Sequence, residues 1–356
     1  IFMLDNLSQI KKLDSQNMLG SLQALSKQAE QVWRQAKGLK IPIDYKKINK
    51  AVVLGMGGSA IGADVIRSVF ASELKVPVLI VNNYDLPAWV DNQTLVIASS
   101  YSGNTEEAEN AAKQAKIKKA KLIIIAAGGN LQTFAKKNKI SALIFTTENN
   151  PCNSPRMGLG YSIIGQLAIF SKLGLLRAGE KEITMIIKTM QKYEALFGVK
   201  SFAKNNFAKQ LAQKAVERSV WYVASEHLLG NAHVAANQMN ENGKRFGGYF
   251  AIPELNHHLL EGMLNPKSNK DALLFVLLES KLYHLRNQKR YGITKKVLDK
   301  NSIQNISYVC QEKTRIGQMC EVLVLSGYVS FYSALLAGID PTPIPFVDYF
   351  KTQMAH

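Results

Sequence analysis

The stretch that decides the fold runs from residue 54 to residue 62 and reads Leu54-Gly55-Met56-Gly57-Gly58-Ser59-Ala60-Ile61-Gly62. It lies between a short apolar run at 51–54 and a segment at 63–70 that has the pattern of a helix. A strand that turns through glycines into a helix start presents free backbone N–H groups and the positive end of a helix dipole. The stretch therefore predicts a strand–turn–helix unit that binds an anion, usually a phosphate.

A second turn of the same kind follows about 40 residues later. After the apolar run at 94–98 the chain reads Ser99-Ser100-Tyr101-Ser102-Gly103-Asn104-Thr105-Glu106-Glu107, and a helical segment comes next. The two turns would converge at the carboxyl edge of one sheet, where open α/β folds bind ligands. Because short hydroxyl side chains suit hydrogen bonds to phosphate oxygens, the pair of turns favours a phosphorylated small molecule.

Neither turn matches a nucleotide-binding signature fully. The first has no Gly-Lys-Ser/Thr ending, so it is not a P-loop. The triplet Gly55-Met56-Gly57 is followed by Gly58-Ser59-Ala60, which puts alanine at the third glycine of the dinucleotide motif. Dinucleotide folds tolerate that variant, so a nucleotide-binding oxidoreductase stays open, with Asp85 as the acidic residue for a ribose. A tight turn without a ligand is the remaining alternative.

Length and composition describe an ordinary globular protein with an unusual charge. A chain of 356 residues exceeds one typical core, which predicts two domains. Lysine and arginine exceed aspartate and glutamate by 44 to 27, a net charge of +17. The lysines are dispersed and lack interleaved aromatic residues, so we expect no nucleic-acid partner. A positive field would instead help to collect an anionic ligand.

Cysteine usage and hydropathy indicate a cytoplasmic protein. The cysteines form no CxxC pair and no disulfide framework, which fits reduced thiols (Cys152, Cys310 and Cys320). No secretory signal is visible after Ile1-Phe2-Met3, and we expect a cytoplasmic location. The longest apolar run, at 322–339, is interrupted by serines and glycines. These small residues favour a buried helix against a neighbour or a second subunit, and we expect no membrane span.

Strands and helices alternate along two successive units. Residues 5–37 have the spacing of one amphipathic helix. Strand-like apolar runs follow at 51–54, 78–81, 94–98, 122–126 and 142–145, and long helices are expected at 163–176 and 180–197. This alternation predicts an α/β fold with a doubly wound parallel sheet. We place an N-terminal helical segment at 1–48, a first domain at 49–190 and a second at 191–356.

The second unit resembles a degenerate copy of the first. Its strand candidates are 219–224, 249–252, 273–277 and 306–309, with a helix at about 228–240 after the first of them. It lacks the glycine-rich turn, so we expect that this half has lost its own phosphate site. Two similar domains facing each other would hold a ligand between them.

The second unit also carries the residues suited to acid–base chemistry. Glu241 ends a helical segment, and His257 follows sixteen residues later in Pro253-Glu254-Leu255-Asn256-His257-His258. An aldose–ketose isomerisation needs a carboxylate that removes a proton alpha to a carbonyl, and a group that opens the sugar ring. Glutamate and histidine are the right types. Each could equally be a solvated helix end or a surface histidine.

Five segments in this order resemble a known family: Gly55–Gly62, Ser100-Tyr101-Ser102-Gly103-Asn104-Thr105-Glu106, Ser154-Pro155-Arg156 with Gly160-Tyr161, Asn240-Glu241-Asn242, and Pro253-Glu254-Leu255-Asn256-His257. Over essentially the whole chain the sequence is similar to the bifunctional phosphoglucose/phosphomannose isomerases. The resemblance implies two flavodoxin-like sugar-isomerase (SIS) domains in tandem behind an N-terminal helix. The Asn-Glu-Asn and Pro-Glu-Leu-Asn-His segments at this spacing are its most specific part.

The resemblance implies interconversion of glucose 6-phosphate and mannose 6-phosphate with fructose 6-phosphate, without a metal or cofactor. It assigns Glu241 as the base, His257 and Lys351 to ring opening, and Arg156 to stabilising the enediolate. The implied substrate-binding positions are Gly58, Ser59, Ser100, Ser102 and Thr105.

Two further expectations come from the resemblance. These proteins are homodimers, so His257 is expected to serve the neighbouring subunit's site. A threonine near the C-terminus is linked to the tolerance for both sugars, and Thr342 is the nearest match.

The sequence departs from the family pattern at three positions near these residues, one of which is Ala63 in place of a frequent glycine. Gly243 stands where alanine is frequent, and His258 stands where asparagine is usual, which leaves open which histidine works. A non-catalytic SIS module that senses a sugar phosphate is the alternative from another class. Such sensors typically carry a DNA-binding domain, and residues 1–48 show no helix-turn-helix pattern.

Overall fold

The computed structural model describes residues 2–354, which begin with three short helices. These are α1 (Leu7–Leu13), α2 (Met18–Gln23) and α3 (Leu25–Lys37). The prediction of one helix over residues 5–37 is therefore wrong. The Asp14 carboxylate accepts hydrogen bonds from the N–H groups of Met18 and Leu19, and Asn17 adopts a left-handed φ of +58°. Both features start a new helix inside an otherwise continuous amphipathic pattern.

The first sheet is parallel and has five strands. They are β1 (Lys50–Leu54), β2 (Val78–Val81), β3 (Thr94–Ser100), β4 (Lys121–Ala126) and β5 (Ser141–Ile144), in the order β2-β1-β3-β4-β5. The helices of this unit are α4 (Gly58–Val69), α5 (Glu106–Ile117), α6 (Gly129–Asn138) and α7 (Leu159–Lys172). Alternate strand residues face opposite sides of the sheet: Val52 packs with α5 and α6, and Val53 packs with α4 and α7. Helices cover both faces, as a doubly wound sheet requires.

The second sheet has four parallel strands and repeats the topology of the first. Its strands are β6 (Ser219–Ala224), β7 (Gly247–Ala251), β8 (Leu273–Glu279) and β9 (Gln304–Val309), in the order β7-β6-β8-β9. The helices around it are α8 (Glu180–Phe197), α9 (Phe207–Lys214), α10 (Leu229–Glu241), α11 (Leu255–His258), α12 (Asn269–Ala272), α13 (Leu285–Lys300), α14 (Arg315–Leu336) and α15 (Pro345–Met354). Both sheets follow the flavodoxin-like order, and the predicted α/β fold class with tandem parallel sheets is confirmed.

The two units share an extensive interface. Helix α4 of the first unit packs on α10 of the second, and α14 packs on α8, α9 and α10. Among the described residues, α14 is the one helix long and apolar enough to cross a membrane, but 94% of its most apolar window is buried inside the protein. Such burial is that of a core helix, as the small residues of 322–339 predicted.

Strand positions follow the predictions closely, whereas helix starts differ. The helix predicted at 63–70 begins at Gly58, because only residues 55–57 form the turn, and the helix predicted at 163–176 begins at Leu159. The helix predicted at 322–339 begins at Arg315, where the Thr314 side chain accepts a hydrogen bond from the Gly317 N–H. Helix α8 runs across residue 190, and the domain boundaries remain predictions.

Candidate active site

The turn between β1 and α4, here called the glycine loop (residues 55–59), is held in place by hydrogen bonds from neighbouring segments. The backbone turns at Gly57, whose φ of +49° is in the left-handed region that favours glycine. The carbonyl oxygen of Ser59 accepts three hydrogen bonds, from side chains of Ser99, Ser162 and Gln166. These contacts fix the N-terminus of α4, the positive end of its dipole, at the carboxyl edge of the first sheet.

The turn between β3 and α5, here called the hydroxyl loop (residues 99–105), lies directly beside the glycine loop. The N–H of Tyr101 donates to Ser59 Oγ at 2.8 Å. Ser100 Oγ and Thr105 Oγ1 are 2.7 Å apart, and Ser102 Oγ accepts a hydrogen bond from the Asn104 N–H at 3.2 Å. The two loops thus present hydroxyl groups and a helix start at one edge of the sheet, which suits a phosphate.

A third segment, residues 154–158, closes this edge and carries Arg156. A Cβ atom at position 58 would lie 3.1 Å from the Pro155 carbonyl oxygen and 3.3 Å from Arg156 Cα, so only glycine fits there without a shift. The cavity between the three segments is small; the residues that line it include Gly58, Ser59, Ser100, Tyr101, Pro155 and Gly158. The structure therefore brings the glycine loop, the hydroxyl loop and Arg156 together.

Arg156 reaches from the first unit into the second. Its Nε donates to Asn242 Oδ1 at 2.6 Å, and its Nη2 donates to the Thr342 carbonyl oxygen at 2.6 Å. Its Nη1 lies 3.9 Å from Glu241 Oε2. Burial lowers the pKa of Arg156, against the opposing charges of Glu241, Cys152 and Asp348. A guanidinium keeps its proton even so, and a fixed cation thus stands beside the Glu241 carboxylate.

Glu241 is the last residue of α10, where the helix meets the interface. Burial raises the pKa of its carboxyl above the ordinary value, and the positive charges of Arg156, Lys244 and Lys351 offset only part of that rise. The side chain keeps 34% of its surface exposed, so it is both shielded and accessible. A half-buried carboxylate with a raised pKa is a stronger base than a solvated one, as proton abstraction from carbon requires.

The chain after Glu241 folds back tightly. The N–H groups of Asn242 and Gly243 both donate to the Gln238 carbonyl oxygen, at 2.8 and 3.2 Å. A Cβ atom at position 243 would lie 2.8 Å from the Met239 carbonyl oxygen. The glycine in place of the family's frequent alanine therefore suits this turn, which sets the direction of Glu241 and Asn242.

The structure does not bring His257 into contact with Glu241. Both histidines of α11 are exposed; His258 Nε2 lies 2.7 Å from Glu254 Oε2. Within residues 2–354 no hydrogen bond or ion pair joins His257 to Glu241 or Arg156. Lys351 lies on the exposed helix α15, and its positive charge acts to lower the pKa of Glu241.

Sequence reasoning missed the groups that hold Arg156 and Glu241 in place. Asn242 was part of a quoted motif but received no role, and Lys244 was also passed over. Thr342 was proposed for its side chain, and its carbonyl oxygen is what contacts Arg156. Its hydroxyl is buried without a hydrogen-bond partner among the described residues. The signal for Lys244 was a lysine directly after a glycine at a helix end.

The dinucleotide-binding alternative finds no support in the geometry. The strand order of the first sheet is the flavodoxin-like one, whereas the dinucleotide order would place the crossover differently. Asp85, the residue expected to hold a ribose, accepts a hydrogen bond from Gln114 Nε2 at 2.7 Å. No group of three or more histidine, cysteine, aspartate or glutamate side chains within residues 2–354 is arranged to hold a metal ion.

Comparison with known proteins matches both units. Residues 44–155 match the SIS domain family, and residues 204–354 match the family described as the bacterial phospho-glucose isomerase C-terminal SIS domain. The bifunctional phosphoglucose/phosphomannose isomerase of Caldicellulosiruptor bescii is 33% identical over 95% of this chain and 99% of its own length. The chain belongs to the bifunctional phosphoglucose/phosphomannose isomerase family. The resemblance stated from the motifs is confirmed.

Other comparisons find one more relative with the same name and two solved structures with the same fold. The protein of that name from Aquifex aeolicus is 26% identical over 91% of this chain and 98% of its own. A hypothetical protein from Thermus thermophilus has the same fold, with a TM-score of 0.71 at 16% identity over 98% and 93% of the two chains. The tagatose-6-phosphate ketose/aldose isomerase of Escherichia coli gives a TM-score of 0.64 at 16% identity, covering 95% and 94%.

Proposed function

We propose that this protein is an aldose–ketose isomerase that interconverts glucose 6-phosphate, mannose 6-phosphate or both with fructose 6-phosphate. The observation that carries the proposal is the position of Glu241. A carboxyl group with a raised pKa lies 3.9 Å from the buried cation of Arg156, whose segment packs against two loops suited to a phosphate, in a chain of this family. A base, an anion stabiliser and a phosphate anchor are the parts that an enediolate mechanism needs.

The phosphate anchor consists of Gly58, Ser59, Ser100, Ser102 and Thr105. The hydroxyl groups and the start of α4 bind the phosphate oxygens and leave the sugar carbons free to extend toward the second domain. Binding energy from this remote group then positions C1 and C2 at the base. Substrates without the phosphate are expected to lose turnover as well as affinity.

Glu241 removes the C2 proton of the open-chain aldose and delivers a proton to C1, while the proton of the C2 hydroxyl passes to the C1 oxygen, which yields the ketose. Negative charge develops on the oxygens at C1 and C2 between these steps. Arg156 stabilises it through Nη1, because Nε and Nη2 are already engaged by Asn242 and Thr342. The same intermediate serves both aldoses when C2 is reprotonated on either face, and the buried Thr342 hydroxyl is the group we assign to that tolerance.

His257 and Lys351 open the sugar ring in this proposal. His257 is exposed on α11 and is not joined to Glu241 within the described residues, so we assign it to the site of a second subunit in a homodimer. Lys351 acts on its own subunit's site, where its charge reaches Glu241. His258, which lies against Glu254, is the less suitable of the two adjacent histidines.

A side-by-side assay of glucose 6-phosphate and mannose 6-phosphate tests the proposal. We expect fructose 6-phosphate to form from at least one of them, without added metal or cofactor. Calorimetric titration with fructose 6-phosphate serves as the control for binding. Binding without turnover of either aldose would contradict the proposal and would favour the sugar-phosphate sensor.

A further inference from the structure

Lys244 lies three residues after Glu241 and connects the two sides of the candidate site. Its Nζ donates one hydrogen bond to the carbonyl oxygen of Glu241, at the end of α10, and another to the carbonyl oxygen of Pro341 at 2.9 Å. Arg156 Nη2 also donates to the Pro341 and Thr342 carbonyl oxygens. Lys244 and Arg156 therefore both donate hydrogen bonds to backbone carbonyl oxygens of the same segment, residues 340–342.

The backbone at Lys244 is held in an unfavourable conformation. Its φ of +51° lies in the left-handed region, which is uncommon for a residue with a side chain. A glycine would adopt this conformation more easily, and one stands at the preceding position. The lysine side chain therefore brings to this turn contacts that a glycine could not make.

Lys244 stands among charged groups from every element around it. Arg156 comes from the segment 154–158, Glu241 from the end of α10, and Asp340 from the turn after α14; Lys351, on α15, reaches Glu241. Asp340 Oδ1 accepts a hydrogen bond from the Thr342 N–H. This bond fixes the turn of the segment 340–342, to which Lys244 donates. The ammonium group thus adds a positive charge next to Glu241. It also links the backbone of Glu241 to the segment 340–342.

We propose that Lys244 is a positioning residue for the isomerisation, which fixes Glu241 and Arg156 against the segment 340–342 and supplies charge that keeps the base ionised. The proposal rests on the proposed function, since it assigns a role within the same reaction. It adds a residue to which none of the motif assignments gave a role.

The charge on Lys244 gives the proposal a signature in the pH profile. Burial and the charge of Arg156 lower the pKa of Lys244 to about 8, against Asp340 and Glu241. The ammonium therefore loses its proton as the pH rises through about 8, which weakens its hydrogen bonds to the Glu241 and Pro341 carbonyl oxygens, and activity falls there. On the acidic side, its positive charge lowers the pKa of Glu241, so removing the charge moves the acidic limb to higher pH.

Four proteins test the proposal: the wild type, Lys244→Arg, Lys244→Met and Lys244→Gly. For Lys244→Met we expect kcat to fall by about 10- to 100-fold with KM little changed, and the acidic limb to move upward. Lys244→Arg keeps a charge that does not titrate, so its acidic limb stays in place and its alkaline limb moves upward. Lys244→Gly relieves the backbone, so it is expected to fold well and yet show the defects of Lys244→Met.

The Lys244→Gly variant separates positioning from a structural role. If it folds and keeps wild-type kcat and pH limbs, the side chain has no part in the reaction and the proposal is overturned. A rise in KM at unchanged kcat in Lys244→Met would overturn it as well. If Lys244→Met fails to fold, the acidic and alkaline limbs of the pH profiles of Lys244→Arg and Lys244→Gly test the proposal instead.

A direct titration of Glu241 distinguishes failure of this proposal from failure of the proposed function. The carboxyl carbon signal of Glu241, in protein labelled with ¹³C-glutamate, is assigned by its loss in Glu241→Gln. We expect this signal to titrate at higher pH in Lys244→Met and at the wild-type pH in Lys244→Arg. An unmoved titration in Lys244→Met would overturn the role of Lys244 even where the wild type is active. An inactive wild type with the expected shift would overturn the isomerase function, and with it the role of Lys244 in that reaction, while the effect of Lys244 on the pKa of Glu241 would stand.

Discussion

At the scale of single residues, the proposed chemistry depends on the balance between the burial of the Glu241 carboxyl and the positive charges around it. Burial at the domain interface raises its pKa, while Arg156, Lys244 and Lys351 prevent the rise from going further. Full burial without these cations would leave the group protonated and useless as a base. A balance of this kind yields a carboxyl group whose pKa lies above that of an ordinary glutamate and whose ionised form is therefore the stronger base.

The pH profile of kcat/KM should report this balance. Because we propose the ionised Glu241 as the base, we expect activity to fall as the pH drops through a pKa above the 4.5 of an ordinary glutamate. Arg156→Met removes a cation that opposes the rise, so the acidic limb should move further upward. Circular dichroism at each pH checks that the fold persists. An acidic limb at or below 4.5 in the wild type would contradict the assignment of Glu241.

Ser100 tests the phosphate anchor. Its hydroxyl lies 2.7 Å from that of Thr105 and accepts a hydrogen bond from the Gly103 N–H at 3.1 Å. For Ser100→Ala we expect KM to rise by about tenfold or more, because a hydrogen bond to a charged group is lost. Inorganic phosphate should compete with the substrate and bind this variant more weakly. Ser141→Ala, at the start of β5, is the control; equal KM values for both variants would contradict the anchor.

At the scale of elements, the packing of α4 on α10 fixes the distance between the glycine loop and Glu241. Helix α4 starts in the glycine loop, and α10 ends at Glu241, so a shift of one helix against the other changes both sites. His233 Nδ1 lies 2.9 Å from Asp64 Oδ2, and Arg67 Nη2 lies 2.8 Å from Asp64 Oδ1. Burial raises the pKa of Asp64, but the bonds from His233 and Arg67 outweigh it and leave the pKa below the ordinary value.

The close approach of these helices can be tested at Gly230. A Cβ atom there would lie 2.6 Å from the backbone of Val65, so Gly230→Ala must push the helices apart. We expect the free energy of unfolding to fall by about 1–3 kcal/mol in urea titrations, together with kcat. Gly292→Ala is the matched control: Gly292 lies in α13, where an added Cβ meets nothing within 4 Å. Alanine should stabilise that helix by up to about 1 kcal/mol; similar results for both variants would contradict the packing.

At the scale of the whole molecule, the exposed helix α15 indicates how a second subunit would complete the site. It carries Phe346, Tyr349 and Phe350 with exposed fractions of 88%, 66% and 63%. Aromatic surface of this extent on one helix is typical of a protein–protein contact. The same helix carries Lys351, so a neighbour that covers it would also shield the site from water.

We expect the protein to be a homodimer whose contact includes α15. Light scattering coupled to size exclusion should give the mass of two chains, and the double variant Phe346→Glu, Phe350→Glu should give the mass of one. Activity should fall with dissociation, because His257 would then be missing from the site. Leu285→Glu, a change at an exposed leucine at the start of α13, should leave the dimer intact. A wild-type monomer with full activity would contradict the shared site.

The sequence predicted the strands and the loops because their signals are local. The predicted strand runs have four to six residues, such as 51–54 before Gly55 and 94–98 before Ser99, and each marks a strand end on its own. The break at Asp14 and Asn17 was missed because polar residues there fit the exposed face of a longer helix. The contacts of Arg156 with Asn242 and with the carbonyl oxygens of 341–342 join residues far apart in the chain. Backbone acceptors have no sequence signal at all, so no motif could reveal them.

Hydrogen exchange at the sugar carbons tests the central claim, that Glu241 moves a proton between C1 and C2, most directly. Fructose 6-phosphate in D₂O should gain deuterium at C1 with the wild type, and the glucose or mannose 6-phosphate formed should carry it at C2. Glu241→Gln should slow both by about 10³-fold while binding fructose 6-phosphate nearly as well, and Glu73→Gln, on the surface, should exchange normally. Wild-type exchange in Glu241→Gln would contradict the account.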